Sequence, residues 1–185
     1  MKQLANMVTI SRAPLGIAIA LLIQNPSVTI LWVCIGLAVL AEITDFADGT
    51  IARRLNAVSS IGKALDPLCD SLYRLSVFVG MAMAGWISLP LLFIFLFRDI
   101  IVAYARIFAA QNGIDVAARL SGKLKAIIQA VAQIAMLAAA LLTAQNFNID
   151  YSMYAKILMY IAALVTFISG IDYAYNLTRT PNSKK

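Results

Sequence analysis

The 185-residue sequence has no histidine, two cysteines, five prolines and few charges, with Lys, Arg, Asp and Glu together making up 13%. Without histidine there is no imidazole metal ligand and no imidazole general base, so carboxylates, amines and hydroxyls must carry any such chemistry. Cys34 and Cys69 lie in apolar surroundings without CxxC or other metal spacing, and read as small core residues. Scarce charge with 62% hydrophobic residues and a mean hydropathy of +0.84 excludes an ordinary soluble domain, which averages about 45–50% apolar and about 25% charged residues. The length divides into about six spans of about 20 residues with short connections. The expected fold is all-α, a polytopic membrane protein forming one domain over residues 1–185.

Fifteen Lys and Arg against nine Asp and Glu give a formal charge of +6. In a soluble protein that excess would suggest nucleic-acid binding, but in a membrane protein cationic residues collect on the cytoplasmic side and report topology instead. No nucleic-acid partner is expected.

Polar or helix-breaking points at Gln24–Ser27, Asn56–Ser60, Gly85–Pro90, Gln111–Gly122 and Gln145–Asp150 divide the apolar stretches. They predict helices over Val8–Ile23, Ser27–Leu55, Ile61–Ala84, Leu89–Ala110, Ser121–Ala144 and Tyr151–Leu177. The first is expected as a retained helix, since Arg12 interrupts its apolar run and no small-residue cleavage site follows. Met1–Met7 is expected to lie along the interface. Connections around Gln24–Ser27, Ala84–Pro90 and Gln145–Asp150 contain no Lys or Arg, whereas the other side holds Lys2, Arg53, Arg54, Lys63, Arg119, Lys123, Lys125, Arg179, Lys184 and Lys185. Both termini are therefore expected in the cytoplasm, in a multi-pass inner (cytoplasmic) membrane protein; Lys156 alone sits towards the far side.

Four aspartates stand out, because carboxylates in or beside a bilayer are costly and persist with a partner or a task. Asp45 and Asp48 are i, i+3 at the end of the second helix; Asp66 and Asp70 are i, i+4 near the start of the third, so each pair shares one helix face. Four carboxylates in one cleft repel, and one or two divalent cations on oxygen ligands compensate them. Gly49, Ala52 and Gly62 remove bulk where a phosphate-bearing ligand would approach, and Arg53 supplies a cation. In the second half, Arg106, Arg119, Lys123 and Lys125 form a basic series suited to an anionic acceptor such as a sugar phosphate or glycerol phosphate. Arg98, near mid-helix beside Asp99, is expected to pair inside the bundle.

The run DFADGTIARRLNAVSSIGKALDPLCD, from Asp45 to Asp70, matches D-x2-D-G-x2-A-R-x8-G-x3-D-x3-D without a gap. In this the chain resembles the CDP-alcohol phosphotransferase family, with Asp45, Asp48, Gly49, Ala52, Arg53, Gly62, Asp66 and Asp70 on all the fixed positions. The resemblance implies six membrane helices, a cytoplasmic-side active site, a homodimer, and transfer of a substituted phosphate from a CDP-linked donor to an alcohol with release of CMP. It further implies that Asp45, Asp48 and Asp66 hold two divalent ions, Mg2+ or Mn2+. Asp70 would be the catalytic base and also touch a metal, while Gly49, Ala52, Arg53 and Gly62 would shape the CDP pocket.

Arg98–Gln129, Ser169–Tyr173 and Thr9–Arg12 are similar to stretches of bacterial phosphatidylglycerophosphate synthases. That group usually has Lys at Ser71, Trp at Phe46 and Glu at Asp99. The implied reaction is CDP-diacylglycerol plus sn-glycerol 3-phosphate, giving phosphatidylglycerophosphate and CMP within membrane lipid. Inositol phosphate is the alternative acceptor. A nonenzymatic scaffold or an ion transporter using buried acids is the reading from another class.

Overall fold

The computed structural model describes residues 2–54, 60–111, 120–147 and 151–179, with side chains described over 10–44, 67–109, 111, 120–147 and 152–175. Among the described residues there are six helices and no strand: α1 (Lys2–Leu22), α2 (Val28–Arg54), α3 (Ser60–Met83), α4 (Leu89–Gln111), α5 (Leu120–Ala144) and α6 (Tyr151–Arg179).

The helix ends follow from local chemistry. Ser27 Oγ accepts from the Ile30 amide at 3.3 Å and caps the start of α2. Beyond α3, Gly85 takes φ 75°, Trp86 N–H reaches Met81 O at 2.8 Å, and Gly85 N–H reaches Ala82 O at 3.0 Å. This 6→1 and 5→2 pair is a Schellman termination. Beyond α5, Asn146 (φ 59°) repeats it, with Phe147 N–H on Leu142 O at 3.2 Å and its own N–H on Thr143 O at 3.1 Å.

Five of the six expected helices begin and end within about two residues of the sequence reading. The exception is the start of α1, which is helical from Lys2 rather than from Val8. The reason is that Lys2, Gln3, Leu4 and Ala5 are good helix formers, while polar Lys2, Gln3 and Asn6 break the apolar run there.

The polarity of the bundle is reversed relative to a soluble protein. Trp32, Leu40, Phe97, Phe108, Leu164 and Ile168 face outward, whereas Arg12, Arg74, Asp99, Lys125, Gln129 and Gln133 are buried. An apolar surface this extensive needs an apolar solvent. α5 and α6 are long and apolar enough to cross a membrane, over Leu120–Ala144 and Ser152–Tyr175, and shorter apolar stretches run over Ile10–Leu22 and Val28–Thr44. α3 and α4 are interrupted by Asp70 and Arg74, and by Arg98, Asp99 and Arg106.

α1 packs most extensively on α3, and α5 on α6; α4 bridges α3 and α6, while α2 leans on α1 and α5. The apolar core collects Ile19, Phe78, Phe95, Met136, Leu137 and Met159, with the Phe78 and Phe95 rings stacked at 4.1 Å. Polar contacts gather at the end of the bundle where α3 and α5 begin and α4 and α6 finish.

Candidate active site

Two glycine contacts set α1 flush against α3. A Cβ on Gly16 would stand 2.6 Å from Tyr73 O, and one on Gly80 would stand 2.5 Å from Ala20 Cα. Gln24 reinforces the far end by donating to Gly80 O at 3.0 Å. One turn before Gly16, buried Arg12 forms an ion pair with Asp70 of α3. The motif's last aspartate is thus held by a cation from the first helix.

Arg74, one turn beyond Asp70, joins three helices. It donates to Glu42 of α2 at 3.3 Å and to Ala126 O of α5 at 2.7 Å, and its own carbonyl accepts from Gln133 at 2.8 Å. Asp45 follows Glu42 by one turn along α2, and Asp70 precedes Arg74 by one turn along α3. The two rows of motif aspartates therefore lead away from a shared ion pair towards the same end of the bundle.

The opposite wall comes from α4, α5 and α6. Asp99 Oδ1 accepts from Arg98 at 3.0 Å and from Lys125 at 2.7 Å. Arg98 also donates to Ser169 at 2.8 Å and passes close to Gly170, where a Cβ would stand 3.3 Å from its Cγ. The Tyr173 ring lies 5.5 Å from the Arg98 guanidinium and 5.4 Å from that of Arg106, while its hydroxyl accepts from Arg106 at 2.8 Å. Ser121 donates to Asp172 at 2.7 Å, tying the start of α5 to the end of α6.

Between these walls lies a cleft of about 230 Å³, lined by Pro67, Asp70, Ser71, Arg74, Arg98, Asp99, Arg106, Gly122, Lys123, Lys125 and Ala126. Five cations and two carboxylates face this space, an excess of three positive charges that favours an anionic ligand.

Of the residues singled out by sequence, Asp70, Arg106, Lys123 and Lys125 meet at this cleft. The expected pairing of Arg98 with Asp99 is present. Lys125 is buried and ion-paired to Asp99 rather than standing alone at the interface. Asp45, Asp48, Gly49, Ala52 and Arg53 lie on α2, and Gly62 and Asp66 on α3, with side chains outside the described set; Arg119 lies outside the described residues. Sequence reading missed Arg12, Arg74 and Tyr173. The signal for the first two was a charge inside an apolar helix; for Tyr173 it was its place at the end of the Ser169–Tyr173 stretch.

A family model described as CDP-alcohol phosphatidyltransferase matches residues 2–168, which include the whole Asp45–Asp70 motif. The chain belongs to the CDP-alcohol phosphatidyltransferase family. It is 36% identical over 177 residues to the CDP-diacylglycerol–glycerol-3-phosphate 3-phosphatidyltransferase of Rickettsia typhi, covering 94% of this chain and 96% of that one. The enzyme of the same name from Mycoplasma genitalium is 37% identical over 91 residues, 49% of this chain and 39% of that relative. Human cardiolipin synthase (CMP-forming) is 29% identical over 182 residues, 91% of this chain and 59% of that one. A phosphatidyltransferase is an enzyme, which removes the scaffold and ion-transporter alternatives. With its outward apolar surface and two helices long and apolar enough to cross a bilayer, this member of the family is a membrane protein.

Proposed function

We propose that the chain transfers the phosphatidyl group of CDP-diacylglycerol to sn-glycerol 3-phosphate, producing phosphatidylglycerophosphate and CMP. The observation that carries this reading is the cleft itself, with Asp70 on one wall and Arg74, Arg98, Arg106, Lys123 and Lys125 around it. The names of the bacterial relatives support the same donor and acceptor.

In the reaction the acceptor hydroxyl oxygen bonds to the phosphatidyl phosphorus, the bond from that phosphorus to CMP breaks, and the hydroxyl proton passes to a base. Asp70 faces the cleft and is held in place by Arg12, so its carboxylate takes the proton. Asp45, Asp48, Asp66 and Asp70 would hold two divalent ions, Mg2+ or Mn2+. Support comes from their all-oxygen donor set and from the Glu42–Arg74 pair, which links α2 to α3 one turn from Asp45 and one turn from Asp70. Bound there, the ions supply neutralisation of the pyrophosphate and of the departing CMP. Gly49, Ala52, Arg53 and Gly62 shape the nucleotide side, as the resemblance implies. Arg106, Lys123 and Lys125, with Arg119, receive the acceptor phosphate and orient its hydroxyl towards Asp70.

The enzyme is a single multi-pass domain over residues 1–185 in the cytoplasmic membrane, with both termini and the cleft on the cytoplasmic side. The arginine- and lysine-free connections support this orientation. The homodimer rests on the resemblance.

An acceptor panel tests the reading. Purified protein with CDP-diacylglycerol and Mg2+ is offered glycerol 3-phosphate, inositol phosphate or glycerol, and the lipid product is identified by mass spectrometry. Phosphatidylglycerophosphate from glycerol 3-phosphate alone is expected. A product from inositol phosphate instead would reassign the acceptor, and no CMP with any acceptor would overturn the proposal.

A further inference from the structure

Asp99 is a carboxylate buried in the wall of a cleft that is otherwise cationic, and Oδ1 alone accepts from both Lys125 and Arg98, at 2.7 and 3.0 Å. Lys125 needs such a partner. Its ammonium sits on a flexible four-carbon stem with many rotamers, and the neighbouring guanidinium repels it. Sharing one carboxylate oxygen fixes both headgroups side by side and offsets their repulsion. The contact also extends sideways: Arg98 is fixed by Ser169 at 2.8 Å and lies against the Tyr173 ring, whose hydroxyl accepts from Arg106 at 2.8 Å. The result is a continuous row of cations along the wall, organised from a single anion.

We propose that Asp99 is a positioning residue for the acceptor's phosphate. It aims Lys125 and Arg98 at a phosphomonoester dianion without touching the acceptor, the donor or the reacting atoms. This rests on the reading of the cleft as the acceptor site. The role is separate from general support of the bundle, because it acts on acceptor affinity and leaves the donor alone.

The test measures KM for glycerol 3-phosphate and for CDP-diacylglycerol in purified Asp99→Asn, Asp99→Glu and Arg106→Gln. Asp99→Asn is expected to raise acceptor KM by about tenfold or more, the worth of one charge-assisted hydrogen bond. Donor KM should stay within about twofold of the parent, as for an independent site. Asp99→Glu, which keeps the carboxylate, should recover most of the acceptor affinity. If Asp99→Asn does not fold, the charge-balanced pair Asp99→Asn/Lys125→Met is compared with Lys125→Met alone, and a further acceptor-specific rise is expected because Arg98 has lost its carboxylate partner; no further rise would overturn the role of Asp99. An unchanged acceptor KM in Asp99→Asn beside a raised one in Arg106→Gln would overturn the role of Asp99 and leave the cleft assignment standing. An equal rise for donor and acceptor would also overturn it, as general destabilisation. If Arg106→Gln leaves acceptor KM unchanged too, the cleft is not the acceptor site and both proposals fall.

Discussion

Arg12 and Asp70, 58 residues apart, form an ion pair between α1 and α3 at the edge of the cleft, with the arginine side chain 2% and the aspartate side chain 30% exposed. The first helix thus supplies an interior cation that holds a motif carboxylate at the cleft.

Removing that cation should slow the chemistry. Arg12→Ala is expected to lower kcat by about tenfold or more, since a charge-assisted hydrogen bond that orients the base is lost. Arg12→Lys, which keeps the charge, should lose less. CMP release from saturated enzyme measures both, and a normal kcat in Arg12→Ala would show that Asp70 is oriented without it.

The flush contact of α1 and α3 gives a stability test. Gly16→Ala places a methyl 2.6 Å from the Tyr73 carbonyl oxygen, and because backbone cannot swing aside, the helices must separate, at a cost of about 1–3 kcal/mol. The thermal midpoint in detergent should fall. The same substitution at Gly36, which has open space around its Cβ position, should leave the midpoint nearly unchanged. Equal midpoints for the two variants would contradict the packing.

The proposed reaction divides the motif aspartates by role. Asp48→Asn and Asp66→Asn should abolish transfer in folded protein, because a neutral amide is a poor ligand for a hard cation. Asp45→Asn should weaken metal-dependent donor binding. Asp70→Asn should lose turnover by about 100-fold, the usual worth of a positioned base, yet still bind CDP-diacylglycerol with metal. Calorimetry with donor and Mg2+ checks this. If Asp70→Asn loses donor affinity as badly as Asp45→Asn, Asp70 serves chiefly as a ligand.

Orientation can be read by labelling. Both native cysteines are buried, so a cysteine at Ser88, between α3 and α4, gives a clean signal. It should react with an impermeant reagent added outside the cell; reaction from the cytoplasmic side alone would invert the topology.

Much of this was legible beforehand, for identifiable reasons. Breaks at Gly85 and Asn146 coincide with the two left-handed residues that end α3 and α5, and such residues carry their conformational preference locally. The aspartate rows were legible because helical spacing alone places Asp66 and Asp70, or Asp45 and Asp48, on one face. Arg12 was not, since its partner lies on another helix and periodicity says nothing about which helices meet. Lys125 shows the same limit from the other side: its charge was evident, but its pairing with Asp99 depends on a side chain of α5 reaching across to α4.

The most direct measurement follows CMP and lipid product together in one reaction of purified protein with CDP-diacylglycerol, glycerol 3-phosphate and Mg2+. Equimolar CMP and phosphatidylglycerophosphate are expected, both disappearing when glycerol 3-phosphate is omitted or the metal is chelated. CMP released at the same rate without the acceptor, and with no phosphatidylglycerophosphate formed, would contradict phosphatidyl transfer.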